Sequence, residues 1–166
     1  MTVRPDRFRA LERDRELLSA ILDVTGVLIT VLDSEGRIVL FSRACEELTG
    51  MPADEVQGKT PWDVLLLEEE ADGPRRVFEE LIHGDFPLEF ENHWATRHGP
   101  PRLVHWRNTV LRQPDGEVEY VVSTGADITE RRQMEQALED VRRYNDAILE
   151  TAVDGIVTIG ADGTIM

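Results

Sequence analysis

The sequence predicts an α+β domain built on an antiparallel sheet of five strands. Strand-like runs gather in two groups, two runs in 27–42 and three in 87–127, while helical patterns fill the stretch between them and both flanks. Such segregation of strands from helices is the signature of the class. The strand runs are joined by compact turn signals: Asp33-Ser34-Glu35-Gly36, "HGPP" at 98–101 and "QPDG" at 113–116. Proline presets φ in such turns and glycine tolerates positive φ.

In chain order, Phe8, Leu11, Leu18, Ile21 and Leu22 recur at helical spacing among Arg and Glu, so residues 6–24 read as an amphipathic helix. "VLITVLDSEGRIVLFS", 27–42, reads as a hairpin. Gly50, Pro52, Gly58 and Pro61 divide 43–66 into short helices. Val77, Phe78, Leu81 and Ile82 share one side of a helix over 73–84 that stops at Gly84. In 87–97, Leu88, Phe90, Asn92 and Trp94 fall on one face and Glu89, Glu91 and His93 on the other. In 102–112, Val104, Trp106, Asn108 and Val110 share a face. The strand over 117–127 runs almost directly into a charged helix.

Composition narrows the function. The 166 residues are 41% hydrophobic and 31% charged, which suits a packed core. A net charge of −15 argues against a nucleic-acid partner, whose binding needs a basic surface. The single cysteine, Cys45, has no internal disulfide partner. The charged N-terminus lacks an apolar signal core, and no run approaches a membrane span of about 18 apolar residues. A cytoplasmic location is the expectation.

The chain also matches itself. Shifted by 127 positions, Ala10 onward lies on Ala137 onward without a gap. Ten of thirty positions are identical, among them Ala20, Ile21, Leu22, Ile29, Gly36 and Ile38. Composition alone gives about two. A repeat predicts that the helix leaving one unit is the helix entering the next, and that the natural chain continues past Met166. The expected organisation is an N-terminal dimerisation helix at 1–24, a domain at 25–128, a linker helix at 129–152, and the truncated start of a second domain at 153–166.

The segment "WRNTVLRQPDGEVEYVVSTGADITERRQMEQAL" carries a resemblance. It is similar to the C-terminal motif of the PAS family, whose last strand ends in Gly-x-Asp-Ile-Thr-Glu-Arg, here Gly125, Asp127, Ile128, Thr129, Glu130 and Arg131. "EELTGMPADEVQGKTPWDVL" resembles the helices that cover one face of the PAS sheet. The resemblance covers roughly Leu17 to Thr129, with a second copy from about Ile148. It implies a PAS fold, a five-stranded antiparallel sheet with short helices on one face, often around a pocket. It also implies a sensory role upstream of an output domain such as a histidine kinase or diguanylate cyclase.

Thr129 suits a helix N-cap and Asp127 the negative charge favoured at a helix N-terminus. The resemblance adds that the Asp and Thr of the motif tie the sheet to the exit helix, so Gly125, Asp127 and Thr129 are the expected relay. In the helix itself Met134, Leu138, Val141, Asn145, Ile148 and Ala152 step by alternating fours and threes. That is a coiled-coil seam with Asn145 at an a position, where asparagine favours two strands in register. A parallel homodimer is the expectation, with Leu18 and Leu22 adding contacts. A helix packed on its own domain is the alternative.

No cofactor is expected. Haem-binding PAS members carry a histidine inside the longer helix, whereas here only His83 stands at its end. Flavin photoreceptors of the family carry a cysteine after a glycine that corresponds to Gly58, the first residue of "GKTPWDVLL", and this stretch has none. His93, His98 and His105 form no metal-ligand spacing, "LEEEAD" at 67–72 reads as a solvated acidic corner, and no catalytic motif is apparent. Asn92 and Asn108 interrupt apolar strand faces. They are either satisfied within the protein or supplied with partners by a ligand. With Phe90, Trp94 and Trp106 they are the pocket candidates for a ligand of unknown identity. The alternatives to a sensor are a ligand-free dimerisation module, with side chains such as Phe41 and Phe78 plugging the cavity, and a small α+β enzyme.

Overall fold

The computed structural model describes residues 26–84 and 88–151. The expected N-terminal helix, with Leu18 and Leu22, and the start of the second domain lie outside the described residues. The chain forms two units, one ending at Ile128 and one beginning at Thr129.

In the first unit, strands β1 (Leu28–Asp33) and β2 (Ile38–Phe41) form the hairpin. Its turn is built by Asp33, whose Oδ1 accepts the N–H groups of Glu35 and Arg37 at 2.9 Å each. Gly36 takes φ +79° there, and a side chain at this position would run into the Trp62 ring. Helices α1 (Arg43–Thr49), α2 (Ala53–Val56) and α3 (Pro61–Val64), a 3₁₀ turn (Glu68–Glu70) and helix α4 (Asp72–His83) then carry the chain to β3 (Leu88–Trp94), β4 (Arg102–Arg112) and β5 (Val118–Asp127). The sheet is antiparallel throughout, with strand order β2-β1-β5-β4-β3. The first and last strands are therefore neighbours, and the helical stretch spans from one sheet edge to the other.

The core lies on one face of this sheet. Leu28 and Leu32 of β1, Trp94 of β3, Val104 and Trp106 of β4 and Val121 of β5 pack with Cys45, Val56, Leu65, Phe78 and Leu81 from the helical stretch. Phe41 and Trp94 stack at 5.9 Å, and Trp94 and Trp106 lie 4.7 Å apart. Such aromatic pairs add to the stabilisation from area burial.

Both sheet edges are engaged over part of their length, which leaves less free edge for pairing with other chains. On β2, Ile38 exchanges backbone bonds with Lys59 and Gly58. On β3, Leu66 bridges Trp94, and the Glu70 carboxylate takes the His93 N–H at 2.7 Å. Strand β3 ends at Trp94 rather than at 97. The next outward N–H groups, of Ala95 and Arg97, are claimed by the carbonyls of Leu65 and Thr49.

The second unit contains helix α5 (Thr129–Thr151), 23 residues long. Met134, Leu138, Val141 and Ile148 are all exposed, at 70%, 55%, 56% and 44%. Asn145 lies on the exposed surface too. Arg143 and Glu139 pair at 2.6 Å, and Gln136 donates to Asp140 at 2.9 Å.

A polar cavity wall on the sheet and the family it belongs to

Period-two alternation brings the site together. On the inner face of the sheet, cross-strand register aligns Thr30 of β1, Ser123 of β5 and Asn108 of β4 in one row. The next row is Leu28, Gly125, Trp106 and Phe90. The polar row interrupts an otherwise apolar face. All three of its members are buried, as is Asn92 on β3.

Thr30, Ser123, Asn108 and Asn92 line a half-open cavity of about 50 Å³, with Trp62, Phe78 and Leu81 lining its helical side. Each predicted pocket residue lines it: Phe90, Asn92, Trp94, Trp106 and Asn108. Trp62, Thr30 and Ser123 line it as well, and sequence reasoning missed them. Thr30 and Ser123 stand in period-two register with Leu28, Leu32 and Val121, but Ile29, Val31 and Val122 make the opposite faces apolar too, so alternation alone did not mark their side. Trp62 lies against Phe78, with ring centroids 5.5 Å apart, and carries the Arg75 guanidinium 5.7 Å above its ring. An open groove beside α4 shares Pro74, Val77, Phe90 and Asn92 with the cavity, so these side chains are the partition between the two.

The amides are partly engaged. Trp106 Nε1–H donates to Asn92 Oδ1 at 2.8 Å, and Ser123 Oγ–H donates to Asn108 Oδ1 at 2.6 Å. An indole N–H is only a donor, so it fixes the carbonyl of Asn92 toward Trp106 and leaves the NH₂ pointing elsewhere. Among the described residues, neither the Asn92 NH₂ nor the Thr30 hydroxyl has a hydrogen-bond partner. Among the described residues, no fully enclosed side-chain nitrogen or oxygen lacks one. Both groups therefore border open space.

Beyond the cavity, Trp106 lies flat on Gly125. A Cβ there would come within 2.7 Å of a ring carbon. Two residues on, Asp127 Oδ2 receives Arg102 Nε and Nη2 at 2.9 and 2.7 Å, which ties the end of β5 to the start of β4. The buried Ile128 extends the pairing by donating its N–H to Leu103. Thr129 follows as the first residue of α5.

The remaining polar residues sit elsewhere. Cys45 is fully buried, and burial pushes its thiol up to about 11. Ser42 donates to its sulfur at 3.4 Å. His93 pairs with Glu70 and His105 with Glu89, while His83 ends α4 and is exposed. Among the described residues no three of His, Cys, Asp and Glu come together as metal ligands. Nor is any described helix long and apolar enough to cross a membrane.

A family model described as "PAS fold" matches residues 22–133. The chain belongs to the PAS family. Over 111 residues, 66% of its length, it is 32% identical to the cyclic di-GMP phosphodiesterase PdeR of Escherichia coli. Over 142 residues, 84% of its length, it is 30% identical to the virulence sensor protein BvgS of Bordetella pertussis. It spans 17% of the first and 11% of the second. Among solved structures, the PAS domain of the quorum-sensing receptor RpfR of Cronobacter turicensis, in complex with BDSF, is 30% identical. Its TM-score is 0.55, covering 63% of this chain and 95% of that one. A second structure of the same domain holds C12:0. A PAS domain is a sensory module and is not itself catalytic, so the relatives support a part in signal transduction.

Proposed function

We propose that this PAS domain senses a small molecule in its interior cavity and reports it along β5 to α5. The longer protein would carry an output domain of the kinase or cyclase type beyond this segment. One observation carries the reading: Asn92 and Thr30, both buried residues of the cavity wall, turn hydrogen-bonding groups without partners among the described residues onto open space, and the wall is built partly from β5, the strand that runs into α5. Asn108 bonds Ser123, and Asn92 holds Trp106 against Gly125, so both cavity amides bear on β5. A ligand that redirects either amide shifts the equilibrium of that strand by its difference in affinity for the two states. Asp127 and Thr129 are the proposed handover, and the exposed seam of α5 is the proposed contact with a second copy in parallel.

The RpfR complexes make C12:0 a suitable first probe. Native mass spectrometry of the purified chain, followed by thermal melting with C12:0 and shorter acyl compounds, tests the reading. A retained small molecule or a raised melting temperature supports it. A chain that carries nothing and melts unchanged with every compound supports a second reading, a ligand-free dimerisation module. That reading is favoured by the small volume of the cavity, about 50 Å³, and by amide oxygens already bonded within the protein.

A further inference from the structure

We infer that the cavity selects an uncharged ligand, one that offers a hydrogen-bond acceptor to the Asn92 NH₂ and is otherwise apolar. The inference rests on the sensory reading above and adds the chemistry of the head group. None of the residues lining the cavity is ionisable: its polar members are threonine, serine, asparagine and the indole of tryptophan. A carboxylate or ammonium moved there would lose its hydration with no opposite charge to replace it, and burial of an unpaired charge is strongly disfavoured. The protein's net charge of −15 also opposes the approach of anions. Arg75, over the Trp62 ring, is on an exposed part of α4 and is not among the lining residues.

An uncharged acceptor, by contrast, has the Asn92 NH₂ to meet, on the partition that the cavity shares with the groove beside α4. Asn92 is 6% exposed and its carbonyl is committed to Trp106, so its NH₂ is held in one direction by a fixed neighbour. Thr30, 4% exposed, supplies a hydroxyl that can donate or accept. The apolar remainder of the ligand has Leu32, Val77, Phe78 and Leu81 as neighbours. An amide, ketone or alcohol fits this set, and a carboxylic acid fits it only when protonated.

Acetamide and acetate, equal in shape, different in charge and small enough for a cavity of about 50 Å³, separate the possibilities. Each is titrated into the isotope-labelled chain at neutral pH while the Asn92 side-chain NH₂ and Trp106 indole N–H resonances are followed by NMR. The inference predicts that acetamide moves both signals. It also predicts that acetate binds about tenfold more weakly or worse and gains affinity on acidification. Asn92→Leu should weaken acetamide by about tenfold, the worth of one hydrogen bond. Thr30→Val, which keeps the side-chain shape, checks the same wall should Asn92→Leu fold poorly. It should weaken acetamide while leaving the Trp106 signal in place. Acetate binding as tightly as acetamide at neutral pH overturns the inference and leaves the sensory reading standing. Acetamide binding that neither variant weakens overturns it too. If neither compound moves any cavity resonance, the inference and the pocket reading fall together.

Discussion

The Trp106 indole rests face-on against the backbone of Gly125, its cross-strand neighbour, while its N–H holds the carbonyl of Asn92. One side chain thus touches both the cavity wall and the strand that leads to α5. Gly125→Ala is predicted to displace the ring, because an added Cβ would stand 2.7 Å from it. Overpacking of this kind costs about 1–3 kcal/mol. Chemical denaturation and tryptophan emission check it: lowered stability with a shifted emission maximum is expected. Wild-type stability with unchanged emission would show that the contact constrains nothing.

The Glu70 carboxylate closes the β3 edge by accepting both the His93 N–H and a bond from its ring nitrogen, each at 2.7 Å. Burial on its own would raise this carboxyl, but the two His93 bonds outweigh burial and hold it below 4.5. In the unfolded chain it titrates near 4.5, so the clasp contributes fully above that pH. The contribution is lost as pH falls through the lower folded value. Glu70→Gln should therefore flatten part of the loss of stability on acidification below pH 4.5. Urea melts of both proteins across that range measure it, and superimposable pH profiles would contradict the assignment.

Cys45 has no exposed surface, and burial raises its thiol to about 11. Reaction with a thiol reagent at neutral pH should proceed only through opening of the fold, since the thiolate is the nucleophile. The rate should follow unfolding as denaturant is added. A rate like that of a free thiol in the native protein would place the side chain elsewhere.

The seam of α5 leaves Met134, Leu138, Val141 and Ile148 exposed in a single chain. In a paired helix, asparagine at an a position fixes two strands in register at a cost in stability. Asn145→Leu is thus predicted to strengthen association or change its order. Analytical ultracentrifugation showing both proteins as monomers at every concentration would remove the pairing.

The sequence made the architecture legible because alternation and turn residues act locally. The faces of β3 and β4 followed from period two, and the inner positions of Asn92, Trp94, Trp106 and Asn108 came with them. The polar row was less legible. Thr30, Ser123 and Asn108 meet only because β1 and β5, at opposite ends of the domain sequence, are neighbours in the sheet. The Arg102–Asp127 pair and the Glu70–His93 clasp join residues 25 and 23 positions apart. No local pattern announces contacts of that range. The acidic stretch at 67–72 read as a solvated corner, whereas Glu70 is a structural acceptor for the sheet edge.

The central claim is that occupancy of the cavity is felt at the end of β5 and beyond. Amide hydrogen exchange of the 166-residue chain, with and without saturating acetamide, tests it most directly. The account predicts altered protection at Gly125, Asp127 and Ile128 and through the first turns of α5, and predicts that Asp127→Ala binds the same compound without the change in α5. Binding that alters protection only around the cavity, with residues 125–135 identical in both states, would contradict it.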